Sequence, residues 1–83
     1  MSSYEQSYQQ TLQQLKEKLI ELFELEEAEL VADARLYQDL DIDSIDTVDL
    51  MVELKKHTGK DLSPKLFKDA RTIDDVVKII VEI

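Results

Sequence analysis

An all-α fold is predicted for these 83 residues: a small four-helix bundle with a short third helix and a long loop between helices one and two. Three observations predict it. The chain holds one Gly and one Pro, so little interrupts its helices. Strand-like alternation is absent. Apolar residues instead recur at spacings of three and four. At this length the chain reads as one domain, residues 1–83. Such a domain buries only about 60% of its unfolded surface, which leaves little room for a deep catalytic cleft.

The first helix is expected over residues 4–25, with residues 1–10 partly frayed. Leu12, Leu15, Leu19, Leu22 and Phe23 form one stripe, and Ile20 widens it. Residues 26–43 form a long connection, which is uncommon unless functional or pinned down. Leu36 and Leu40 should pin it to the core, with one short helical turn. The second helix begins at Asp43 or Ser44 and ends near Thr58 and Gly59. Asp43 can cap it, Asp46 suits its first turn, Lys55, Lys56 and His57 suit its last, and Gly59 is a natural C-cap. Ser63 and Pro64 signal a short third helix anchored by Leu66 and Phe67. The final helix starts at Thr72, with Asp75 completing a capping box. Ile73, Val76, Val77, Ile80 and Val81 supply its buried side.

Charge narrows the function. The net charge is -9, unevenly spread. Residues 1–54 carry 3 basic and 14 acidic side chains, whereas residues 55–83 carry 7 basic and 5 acidic. An acidic half repels phosphate backbones, so nucleic acid is an unfavourable partner. It steers basic protein surfaces instead. There is no Cys, which excludes disulfides and thiolate metal sites. No apolar run approaches the ~20 residues of a membrane span. The first ten residues lack a signal-peptide core. A soluble cytoplasmic protein is the expectation.

On a helical wheel, Thr47, Leu50, Met51 and Leu54 span about 140° to 240° from Ile45, a core face. Ile45, Val48 and Val52 form a second apolar arc, bordered by Asp46, Asp49 and Glu53. That arc either packs under the long loop or forms a docking strip with an acidic rim, as interfaces do. Ser44 opens this helix within Asp39-Leu40-Asp41-Ile42-Asp43-Ser44-Ile45-Asp46. It reads as a helix-capping serine, a phosphorylation site or a point of attachment. A calcium loop starting at Asp39 would need Gly at position six and Glu at twelve; Ser44 and Leu50 stand there. Nucleophilic catalysis lacks a base, because the single histidine, His57, lies far along the helix.

The segment from Asp39 to Leu50 resembles the modification motif of acyl carrier proteins, and the similarity extends over residues 12–83. In that family an Asp-Ser-Leu segment opens an acidic second helix. The resemblance implies an acyl-carrier-type bundle whose Ser44 receives 4'-phosphopantetheine from coenzyme A through a phosphopantetheinyl transferase. Asp43 would help orient that reaction and its metal. Acyl groups would then travel as thioesters on the arm's thiol, so the chain would be a non-catalytic carrier. Asp46, Asp49 and Glu53 would meet basic partner residues, and Ile45, Val48 and Val52 shallow apolar pockets. Implied partners are acyl transferases or ligases, ketosynthases, ketoreductases and dehydratases, with the carrier monomeric. Met51, Leu54, Phe67, Ile73 and Val77 would line any space for an acyl chain between helices, or serve as ordinary core. An acidic helical adaptor without a prosthetic group is the alternative.

Three departures stand out. Housekeeping fatty-acid carriers usually have Gly where this chain has Asp41, commonly Leu where it has Ile45, and an acidic end to helix two where it has Lys55-Lys56-His57-Thr58-Gly59-Lys60. Lys65, Lys68 and Arg71 continue the basic run. The Thr58-Gly59-Lys60 and Phe67-Lys68-Asp69-Ala70-Arg71-Thr72 segments resemble dedicated bacterial carriers of polyketide or aryl-polyene type.

Overall fold

The computed structural model describes residues 3–62 and 64–83. Among these are three α-helices, α1 (Ser3–Phe23), α2 (Ser44–Thr58) and α3 (Ile73–Glu82), with 3-10 turns at Glu27–Glu29 and Pro64–Phe67. The expected fraying of Met1 and Ser2 and the expected cap at Ser63 lie outside the described residues. None of the described helices is long and apolar enough to cross a membrane.

α1 buries Thr11, Leu15 and Leu19, with Leu12, Leu22 and Phe23 half-buried beside them. Ile20 does not widen the stripe; it is exposed, because one residue past Leu19 turns a side chain about 100° around the axis. The helix stops at Phe23, two residues short of expectation. Glu24 adopts the left-handed conformation (φ 56°) while its N–H still donates to the Ile20 carbonyl at 2.9 Å. Residues 3–10 are helical, and the Tyr8 hydroxyl donates to the Asp74 carboxylate, which ties α1 to the start of α3. Burial first, then that bond, pushes the Tyr8 phenol up to about 12. The same bond and Lys78 hold the Asp74 carboxyl below its usual range.

The long connection is pinned by its apolar residues. Leu30, Ala34, Leu36, Leu40 and Ile42 are all buried in one core with Leu15, Leu19, Leu50, Leu54 and the α3 residues. Its backbone is also held. Leu36 N–H donates to the Arg71 carbonyl (2.9 Å), and Ile73 N–H donates to the Ala34 carbonyl (3.1 Å). These bonds flank a single antiparallel bridge, Arg35 to Thr72. The loop is therefore fastened to the start of α3.

The short third element is a 3-10 turn rather than an α-helix. Four residues starting at Pro64 bring too few donors for an α-helical ladder, and 3-10 pieces are short by nature. Phe67 is buried and anchors it; Leu66, expected to share that task, is exposed. α3 starts as expected. Thr72 Oγ1 accepts from the Asp75 N–H (3.2 Å), and Asp75 reaches back to the Thr72 N–H (3.2 Å). Ile73, Val76, Val77 and Ile80 are buried, and Val81 is half-buried.

Candidate functional site

The start of α2 is organised by Asp43. Its Oδ1 accepts from the Asp46 N–H at 2.9 Å, and Asp46 Oδ2 accepts from the Asp43 N–H at 3.4 Å. The Thr47 hydroxyl adds a bond to the Asp43 carbonyl at 2.9 Å. The cap is therefore an aspartate, and Ser44 is the first helical residue. Capping does not use the Ser44 hydroxyl. Ser44 is exposed, and its side chain has no hydrogen-bond partner among the described residues. His57 is at the other end of α2, about 20 Å along the axis, so it cannot serve Ser44 as a base.

Two residues before Asp43, the chain adopts a left-handed turn at Asp41 (φ 59°). A Cβ is disfavoured there, and Asp tolerates the region better than most residues. The turn aims Ile42 into the core and brings Asp43 to the head of α2. Ile42 N–H donates to the Leu36 carbonyl at 2.8 Å, closing the loop just before the site. Asp41, one of the departures noted in the sequence, thus stands where the backbone takes a positive φ.

The two arcs of α2 separate as the wheel divides them. Leu50, Met51 and Leu54 are buried. Ile45, Val48 and Val52 retain 72%, 45% and 49% of their exposure, so this arc does not pack under the loop. The acidic border is not uniform. Asp46 is committed to the cap. Glu53 sits 3.4 Å from Lys56 and 3.9 Å from Lys18, so much of its charge is met within the chain. Asp49 is exposed, with no partner among the described residues.

A groove of about 760 Å³ opens beside Ser44. Its apolar lining comes from Val48 and Met51 of α2, Leu36 and Ile42 of the loop, Phe67 and Val76. Arg35, Tyr37, Lys68 and Arg71 also line it. None of these four was expected at the site. Nothing in the local pattern marks them, because the groove exists only once the loop pairs with the residues before α3. Of the suggested chain-lining residues, Met51 and Phe67 face this groove, while Leu54, Ile73 and Val77 lie in the core.

The groove and the exposed hydroxyl fit a long flexible group held by a phosphodiester. Ser supplies the oxygen such a bond needs, and the neighbouring space is mostly apolar-walled.

A family described as "Phosphopantetheine attachment site" matches residues 13–80. The chain is 38% identical over 66 residues to "Acyl carrier protein 2" of Ralstonia nicotianae, covering 80% of this chain and 82% of that protein. It is 35% identical over 68 residues to an acyl carrier protein of Coprothermobacter proteolyticus, covering 82% and 83%. It is 32% identical over 82 residues to an acyl carrier protein of Rickettsia typhi, covering 99% and 91%. A covalently bound 4'-phosphopantetheine is the cofactor this membership brings, and carriage of acyl groups in biosynthesis is the role. The chain belongs to the acyl carrier protein family.

Proposed function

We propose that Ser44 is the attachment residue and that the exposed arc of α2 is the surface partner enzymes read. The observation that carries this is the division of labour at the helix start. Asp43 makes the cap, which leaves the Ser44 hydroxyl exposed and unbonded beside an apolar-walled groove.

In the transfer, Ser44 Oγ forms a bond to the pantetheine-side phosphorus of coenzyme A. The pyrophosphate P–O bond breaks, adenosine 3',5'-bisphosphate leaves, and the hydroxyl proton passes to a base of the transferase. Asp43 Oδ2, which takes no bond among the described residues, is available to the transferase's metal. The bound arm supplies a thiol that holds acyl groups as thioesters. The chain itself contributes position and recognition, and is read here as non-catalytic.

Recognition divides by residue. Ile45, Val48 and Val52 supply apolar contact. Asp49 supplies the freest charge, while Asp46 and Glu53 contribute less because each is already engaged. The partners are the phosphopantetheinyl transferase, acyl transferases or ligases, ketosynthases, ketoreductases and dehydratases. The carrier acts as one monomeric cytoplasmic domain, in which the turn Pro64–Phe67 takes the place of the third helix of a four-helix bundle. The basic end of α2 and the basic run beyond it favour a dedicated carrier of polyketide or aryl-polyene type over a housekeeping one.

Intact mass after incubation with coenzyme A, magnesium and a broad-specificity transferase tests the attachment. One added phosphopantetheine on the unmodified protein and none on Ser44→Ala is the expected result. No addition to a folded, unmodified chain would leave an acidic adaptor. Equal and efficient malonyl loading by housekeeping and pathway-specific enzymes would remove the dedicated reading.

A further inference from the structure

The groove beside Ser44 has the wrong charge for this protein. The chain carries -9 overall, and carboxylates crowd residues 39–53. Yet the groove is lined by three cations, Arg35, Lys68 and Arg71, against one carboxylate, Asp43. Arg35 is accounted for: its guanidinium donates to both Asp39 oxygens, at 3.3 and 3.2 Å. Lys68 and Arg71 are not. Both are exposed, and neither side-chain charge has a partner among the described residues. Arg71 is also fixed in place. Its carbonyl accepts from Leu36 N–H and its own N–H donates to Asp75 Oδ2 at 3.0 Å, so its backbone is clamped at the groove's edge.

A mostly apolar groove lined also by two exposed cations, neither matched among the described residues, is complementary to an apolar body that ends in an anion. We propose that this groove favours acyl groups that keep a free carboxylate, such as a dicarboxylic acyl unit joined to the arm through its other carboxyl group, and that Lys68 and Arg71 are the residues that hold it. The proposal rests on attachment at Ser44. The arm's phosphodiester is the competing anion, but it is fixed to Ser44 at the head of α2, where unpaired helix amides already favour it. Each exposed ion pair is worth up to about fivefold in the bound fraction, more where Arg71 binds both carboxylate oxygens, and salt weakens it.

The test loads the protein from coenzyme A, acetyl-coenzyme A and malonyl-coenzyme A with a broad-specificity transferase. Intact mass confirms each product, so a failure to load is a failure of the attachment reading and is seen separately. NMR spectra then follow Arg71 Nε–H, the Lys68 amide and the Met51 methyl. The expected result is a shift of all three signals in the malonyl form beyond those in the holo and acetyl forms. That excess should shrink at high salt and, read at the Met51 methyl and the residue-68 amide, vanish in a Lys68→Gln/Arg71→Gln variant, whose exposed sites leave folding intact by circular dichroism. Equal shifts in the acetyl and malonyl forms would overturn the proposal. So would full shifts already present in the holo form, which would assign the cations to the phosphodiester. A malonyl-specific shift surviving in the double variant would overturn it as well.

Discussion

α2 and α3 begin alike and end in different roles. Each opens with a reciprocal capping box, Asp43 with Asp46 and Thr72 with Asp75, and each carries apolar residues on more than one side. α3 buries Ile73, Val76, Val77 and Ile80 against α1 and the loop. α2, half as long again, buries only Leu50, Met51 and Leu54 and leaves Ile45, Val48 and Val52 in solvent. Apolar side chains on a helix of so small a domain are normally drawn into the core. An arc that stays out, beside an exposed serine and an Asp49 with no partner among the described residues, is the surface proposed above for partner contact.

The largest effect should come from the buried arc. Leu54→Ala is expected to cost about 2–5 kcal/mol, a large part of the total for a domain of this size, whereas Val52→Ala on the opposite arc should cost less than about 0.5 kcal/mol. Urea midpoints measure both. Equal losses would erase the distinction between the arcs. The two caps sharpen the comparison next. Asp43→Ala and Thr72→Ala should each cost about 1 kcal/mol. Only Asp43→Ala should also slow phosphopantetheine loading, which a time course of intact mass would detect.

A smaller effect tests what binds α1 to α3. Tyr8→Phe removes the bond to Asp74 and should cost about 1 kcal/mol near neutral pH. Its pH dependence has a definite sign. The folded phenol is raised from 10.0 to about 12, so its contribution is full below pH 10 and is lost as pH rises toward 12. The wild type should lose its advantage over Tyr8→Phe across that window. A constant difference would mean the phenol is not stabilised by folding. The smallest effect has the opposite direction. Asp41→Gly relieves a left-handed turn and should stabilise by up to about 1 kcal/mol, offset in part by the freer unfolded chain. A loss of midpoint would show that Asp41 makes a contribution beyond its backbone.

Features that depend on near neighbours were legible in the sequence. The Asp43 cap, the capping box of Thr72 with Asp75, the Gly59 C-cap and the division of α2 into two arcs need only spacing along one helix. Leu36 and Leu40 were readable as anchors because an unpinned loop of that length would be costly. Features that depend on distant pairing were not. The groove requires Leu36 to meet Arg71, and no local pattern states that pairing. Leu66 and Phe67 are adjacent and both apolar; which one enters the core depends on the 3-10 rather than the α register. At Ser44 the spacing offers both Asp43 and Ser44 as caps, and the geometry gives the role to Asp43, which accepts from the Asp46 N–H.

The central claim is that the two arcs of α2 do separate work. It is tested most directly by an Ile45→Ala/Val48→Ala variant measured twice, for its urea midpoint and for its kcat/KM as a transferase substrate. The expected result is an unfolding free energy, from the urea midpoint, within about 1 kcal/mol of wild type and a loading efficiency lowered roughly fivefold or more, as for truncated interface centres. A midpoint lowered as far as by Leu54→Ala, with loading unchanged, would contradict it.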